Sequence, residues 1–173
     1  ETASMAVQAS LTGHIVFSTI HTNDATGVVS RLLDLNVEPF LVATALSLAV
    51  AQRLVRTICD HCRVPVSGSK IIEGLEKDGI TQERLESLEI EIDPDLDYFQ
   101  GTGCERCRST GYSGRTAVFE VFEMTEEARE LVLSPNVSGN RLKALAKKAG
   151  MTSLINHGMQ LVEEEVTTFH EII

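Results

Sequence analysis

Apolar residues recur at helical spacing across residues 24–35, where Ala25, Val28, Val29, Leu32 and Leu33 stand at i, i+3, i+4, i+7 and i+8. That is the stripe of an amphipathic helix. Residues 2–11 predict another helix, with Ala3, Ala6, Val7 and Ser10 on one small-residue face and Gly13 as its stop. Between the two, residues 14–20 are short, apolar and β-branched, which predicts a buried strand. Polar residues crowd the end of that strand: Thr19, His21, Thr22, Asn23 and Asp24. In an open parallel sheet, ligands bind at this edge. Pro39 stands where a first helical residue would, and residues 40–51 are apolar nearly all round, predicting a buried helix. Residues 52–58 alternate and predict a strand running into Cys59. Helix, strand, helix, helix, strand is the succession of an α/β domain.

Further along, residues 70–77 and 81–88 predict two short helices, and residues 93–103 read as loop. Turn-rich residues 110–115 lead into residues 116–122, which predict a strand able to pair with 52–58. The remainder is helical. Thr125 caps one helix with Glu126 and Glu127 in its first turn, and Ser138 caps a second that stops at Gly150. Thr152 starts a third, and Thr168 with Glu171 has the spacing of a capping box for a last one. These helices are expected to form one small bundle.

Composition changes the picture in one place. The net charge is −10 over 173 residues, which speaks against a nucleic-acid backbone as partner. Residues 73–97 hold ten acids and two bases, so this one segment carries most of the excess. A solvated acidic appendage is the reading, rather than a dedicated binding site. The longest apolar run is too short to span a bilayer, which needs about 20 residues.

All four cysteines lie in two CxxC pairs, Cys59 with Cys62 and Cys104 with Cys107, separated by 41 residues. Two such knuckles place four thiolates around one centre, the set that structural zinc takes. An iron–sulfur centre is the alternative. Paired disulfides and redox motifs fit less well, since a thioredoxin-like CxxC comes singly. His61 lies inside the first knuckle and reads as a surface residue. Four protein ligands leave no open position, so the site is expected to be structural. Reduced cysteines at this spacing fit a cytoplasmic location.

The stretch Leu11-Thr12-Gly13-His14-Ile15-Val16-Phe17-Ser18-Thr19-Ile20-His21-Thr22-Asn23-Asp24-Ala25 resembles the histidine box of the type II secretion and type IV pilus assembly ATPases, the GspE/PilB-like branch. Residues 51–56 followed by CxxC, and Gly103 through Arg115 around the second CxxC, are similar to further signatures of that family, as is Gly150-Met151 with Leu154. The retraction-motor branch lacks the tetracysteine module, which favours the assembly and secretion branch.

The resemblance implies an α/β fold: residues 1–58 as the C-terminal part of a RecA-like P-loop ATPase core, 59–115 as an inserted tetracysteine zinc subdomain, and 116–173 as a strand plus a C-terminal helical subdomain. It implies a hexamer at the cytoplasmic face of the inner membrane, working with inner-membrane platform proteins, with ATP and Mg2+ as cofactors of the full-length parent and Zn2+ as a structural ion. It also implies that His14 and His21, with Thr19 as a weaker candidate, lie near the γ-phosphate; packing of His14 near the preceding helix end is the alternative for that residue. At a strand end, His21 can donate a hydrogen bond to phosphate or to the attacking water.

The pattern is not complete. No G-x-x-x-x-G-K-[ST] occurs, and no apolar strand ends in an acid suited to Mg2+. In the family both motifs precede the position where this sequence begins, so the chain alone is expected to be inactive. Glu163, Glu164 and Glu165 also replace the usual glycine ahead of Thr167 and Thr168. A stand-alone zinc-stapled interaction module without catalysis is the alternative reading.

Overall fold

A computed structural model describes residues 2–173. In chain order its elements are α1 (Thr2–Leu11), α2 (Gly27–Asp34), α3 (Pro39–Ala45), β1 (Leu48–Ile58), β2 (Arg63–Ser67), α4 (Gly68–Lys77), α5 (Gln82–Ser87), β3 (Asp97–Gly101), β4 (Tyr112–Glu123), α6 (Glu126–Leu133), α7 (Gly139–Lys148), α8 (Leu154–Glu163) and α9 (Phe169–Ile172). β1 pairs with β4, the pairing expected of 52–58 and 116–122, and β2 pairs with β3. The chain divides into two compact units, Glu1–Gln52 with Phe119–Ser153, and Arg53–Val118 with Leu154–Ile173. Among the described residues no helix is long and apolar enough to cross a membrane.

The first unit packs around Val29, Val42, Phe122, Val132 and Leu142, all fully buried. Its helices form where the stripes predict. Asp24 Oδ1 accepts the Gly27 N–H at 2.8 Å and starts α2, and Pro39 begins α3. Thr125 and Ser138 accept the Ala128 and Arg141 N–H groups and cap α6 and α7. The apolar run 40–51 is not one helix. α3 stops at Ala45, Leu46 turns extended, and β1 starts at Leu48. Met124 donates its N–H to the Ser47 carbonyl at 3.0 Å, so the second half of the run is captured by the end of β4 rather than by its own helix.

Residues 14–20 overturn the expectation of a buried strand. They are in no sheet, and Ile15 and Phe17 are 86% and 93% exposed. An extended apolar segment is buried only by strands beside it and layers above and below it. Among the described residues, nothing supplies them.

In the second unit β2 and β3 run antiparallel, Arg63 opposite Gly101 and Ser67 opposite Asp97. Residues 97–101 are therefore a strand and not loop. The partner lies beyond two helices, and such non-local pairing leaves no trace in a local pattern. The acidic stretch also has a core: Ile71, Leu75, Leu85 and Ile90 close around Val162 and Phe169. Tyr98 meets the Phe169 ring edge-on, centroids 4.9 Å apart.

Here the expected single bundle divides. α6 and α7 belong to the first unit and α8 and α9 to the second, because Val162 and Phe169 find their apolar neighbours on α4 and α5. The capping box does not form either. Thr168 makes no cap bond and meets Tyr112 Oη at 2.8 Å. Glu171 instead holds Arg56 through its backbone N–H at 2.8 Å, Nε at 2.9 Å and Nη2 at 2.5 Å. Glu165 sits at φ +63°, the left-handed conformation that glycine adopts most easily, and its carboxylate pairs with Arg63.

Candidate metal centre and the histidine-rich turn

Cys59, Cys62, Cys104 and Cys107 come together in the second unit, every sulfur within 4.8 Å of every other. Three of the separations are 3.9 Å (Cys59 to Cys104), 3.8 Å (Cys62 to Cys107) and 3.7 Å (Cys104 to Cys107). A tetrahedron whose centre lies about 2.3 Å from each sulfur has edges of about 3.8 Å. The sulfurs are thus placed for one tetrahedral ion and are far too distant for the roughly 2.05 Å of a disulfide bond. All four cysteines are free. His61 is exposed outside the group, its ring facing Arg106.

The backbone builds this arrangement. Each knuckle closes on itself, Cys62 N–H to the Cys59 carbonyl at 3.2 Å and Ser109 N–H to the Cys104 carbonyl at 2.8 Å. The knuckles are also tied to each other's neighbours. Cys59 donates to the Gly111 carbonyl at 2.9 Å and Thr102 to the Cys62 carbonyl at 3.0 Å. Gly101 and Gly111 make the approach possible: a Cβ on Gly101 would stand 2.0 Å from the Gly111 carbonyl oxygen. Of these two glycines, Gly111 falls in the turn-rich stretch and the signature read from the sequence, and Gly101 was passed over. Gly111 follows the knuckle at φ +79°, but the need for Gly101 arises only from the crossing.

The protein's own groups make the thiols unequal. The backbone N–H of Cys104, 3.1 Å from Cys107 Sγ, and that of Gly111 at 3.3 Å lower the Cys107 pKa to about 6. Burial beside the other sulfurs pushes Cys62 up to about 11. These N–H groups favour the thiolate form of Cys107, the form that ligates a cation. Backbone N–H groups aimed at a sulfur are the usual outer support of a metal-bound thiolate.

The histidine-rich segment lies in the first unit. His14 Nδ1 is 3.1 Å from Thr12 Oγ1 and 3.2 Å from the Ala9 carbonyl, so its ring is held against the end of α1. Thr19 and His21 are exposed. Just beyond, the chain stiffens. Thr22 Oγ1 donates to the Asp24 carbonyl at 2.9 Å, Asp24 Oδ1 holds the Gly27 N–H, and Asp24 Oδ2 meets Lys143 Nζ at 3.3 Å. Glu120 Oε1 accepts the Ala25 N–H at 2.8 Å. The sequence reading passed over Glu120, although an acid amid the alternating apolar residues Val118 and Phe122 is a visible signal.

The sequence model of the type II/IV secretion system protein family matches residues 1–173. Among curated relatives, the type IV pilus assembly ATPase PilB of Thermus thermophilus is 36% identical over the whole chain, which covers 18% of that protein. The type II secretion system protein HxcR of Pseudomonas aeruginosa is 40% identical, with 30% of its length covered. The type II secretion system protein E of Aeromonas hydrophila is also 40% identical, with 32% covered. The chain thus spans 18% to 32% of the length of these relatives. Matched from end to end by that family's pattern, the chain belongs to the type II/IV secretion system protein family.

Proposed function

We propose that this chain is the C-terminal portion of a hexameric cytoplasmic ATPase that powers type II protein secretion or type IV pilus assembly at the inner membrane. The observation that carries the proposal is the match along all 173 residues to proteins named as a type IV pilus assembly ATPase and a type II secretion system ATPase. In this reading residues 1–58 complete a RecA-like core. The exposed 14–20 segment is one of its strands, with sheet neighbours contributed by the rest of the motor. ATP and Mg2+ bind to the parts of the full-length protein that carry the phosphate loop. His21, with His14 and Thr19 as lesser contributors, faces the γ-phosphate and donates to charge that develops in transfer. Cys59, Cys62, Cys104 and Cys107 hold one structural Zn2+, which the near-3.8 Å sulfur spacing and the backbone N–H support favour. Platform proteins of the secretion or pilus apparatus are its partners.

In the full-length protein, His21→Ala lowers kcat about 100-fold while nucleotide affinity stays within about threefold, because a transition-state donor contributes little to ground-state binding. Wild-type turnover in a folded His21→Ala protein refutes the role of His21. Absence of Mg2+-dependent ATP hydrolysis by the full-length protein refutes the functional assignment as a whole.

A further inference from the structure

β4 turns Val118, Glu120 and Phe122 to the buried side, and Glu120 is only 2% exposed. A carboxylate among core side chains is costly unless it serves a partner. Glu120 has such a partner 95 residues away. Its Oε1 accepts the N–H of Ala25, itself buried, at 2.8 Å. Ala25 lies two residues before α2, ahead of its N-cap Thr26. The Gly27 N–H is satisfied locally by Asp24. The Ala25 N–H is satisfied from a distant strand, and that bond ties the end of the His21-containing turn to the core.

We propose that Glu120 is a positioning residue for residues 21–24: by holding the Ala25 N–H it sets where the turn presents His21. This rests on the reading of His21 given above. The remaining ties on the turn are weaker. Thr22 Oγ1 and Asp24 Oδ1 bond within the turn and the start of α2, and the pair that Asp24 Oδ2 makes with Lys143 is partly solvated. An apolar side chain at 120 would preserve the packing of the buried face but offer no acceptor. Glutamine would preserve both shape and acceptor. That contrast separates a positioning role from a contribution to core stability.

The test is hydrogen exchange and steady-state kinetics on the full-length protein carrying Glu120→Leu, Glu120→Gln or His21→Ala. Glu120→Leu speeds exchange in the 21–28 peptide about tenfold and lowers kcat about tenfold at unchanged KM, the scale of one lost orienting hydrogen bond. Peptides containing Val42, Val132 and Leu142 exchange as in the wild type. Glu120→Gln restores both readouts to within about twofold of the wild type. If Glu120→Leu does not fold, Glu120→Asp, which withdraws the carboxylate by one methylene, takes its place with the same expectations. Unchanged exchange at 21–28 overturns the proposal. So does faster exchange with unchanged kcat, loosening spread evenly over the unit, or failure of Glu120→Gln to rescue. If His21→Ala leaves turnover intact, the reading of His21 fails, while the exchange data still decide whether Glu120 anchors the turn.

Discussion

Residues 14–20 and residues 63–101 resolve burial in opposite ways. The first is apolar yet open to solvent, with Phe17 at 93% exposure. The second is strongly acidic yet has its own core, with Leu75 and Phe169 buried at its centre. Local hydrophobicity does not decide which segment is buried. What decides is whether another part of the chain supplies a complementary surface. α8 and α9 return to α4 and α5 and bury Ile71, Leu75 and Leu85 from the far side. No described residue returns to 14–20 in that way. Acidic residues do not interfere in the second region, because α4 is amphipathic: Glu73, Glu76 and Lys77 face solvent, while Ile71 and Leu75 face inward.

The largest effect expected on this contrast comes from the metal centre. Removing the proposed zinc ion with a strong chelator, or substituting Cys104→Ser, loosens the crossing that joins both ends of the 63–101 excursion. Hydrogen exchange at 59–62 and 102–112 accelerates more than about 100-fold, in keeping with the large binding free energy of structural zinc sites. Residues 71–90 loosen less, since their contacts with Val162 and Phe169 do not pass through the sulfurs. Elemental analysis finding no zinc in chelator-free preparations contradicts the assignment.

A pair of phenylalanine substitutions sharpens the comparison. Phe169→Ala destabilises the second unit by about 3–5 kcal/mol, the cost of emptying a fully buried aromatic site. Phe17→Ala changes the stability of the 173-residue chain by less than about 0.5 kcal/mol, as exposed positions do. In the full-length protein the proposed strand neighbours make Phe17→Ala cost several kcal/mol as well. A negligible effect there counts against a buried 14–20 strand in the motor. Denaturation monitored by exchange at each site provides the readout.

The smallest effect is that of the Arg56–Glu171 clasp. Bonding to Arg56 holds the Glu171 pKa below its ordinary value of 4.5. A depressed folded-state pKa means that the contribution is present above the unfolded value and is lost as pH falls through the lower folded one. Arg56 is half exposed, which limits the contribution to about 0.5–1 kcal/mol. Glu171→Gln is therefore less stable than the wild type by that margin at neutral pH. The two become equally stable well below the ordinary glutamate pKa. A difference independent of pH refutes the ionic origin.

Much of the first unit, and the four cysteines that the fold brings together, were legible in the sequence. The α2 stripe, the first-turn caps at Thr125 and Ser138, and the alternation of 52–58 and 116–122 are short-range patterns, and short-range physics forms them. Two CxxC pairs announce a tetrahedral site because each knuckle is a local loop. What escaped were features that depend on two distant segments meeting. The end of α3 at Ala45 depends on Met124 reaching Ser47. The capping box at Thr168 and Glu171 was given up because Tyr112 and Arg56 offered both side chains other partners.

The sequence by itself determined which residues can hold a metal, which helices have an apolar side, and the family pattern that runs from end to end. Those properties belong to residue types at fixed spacings of a few positions. Only the tertiary structure decided that 97–101 is a strand, that the last helices divide between two units, that 14–20 lies exposed, and that Glu120 reaches Ala25. Each of these is a choice among partners far apart along the chain. Such a choice depends on the surfaces that meet on folding and has no local signature.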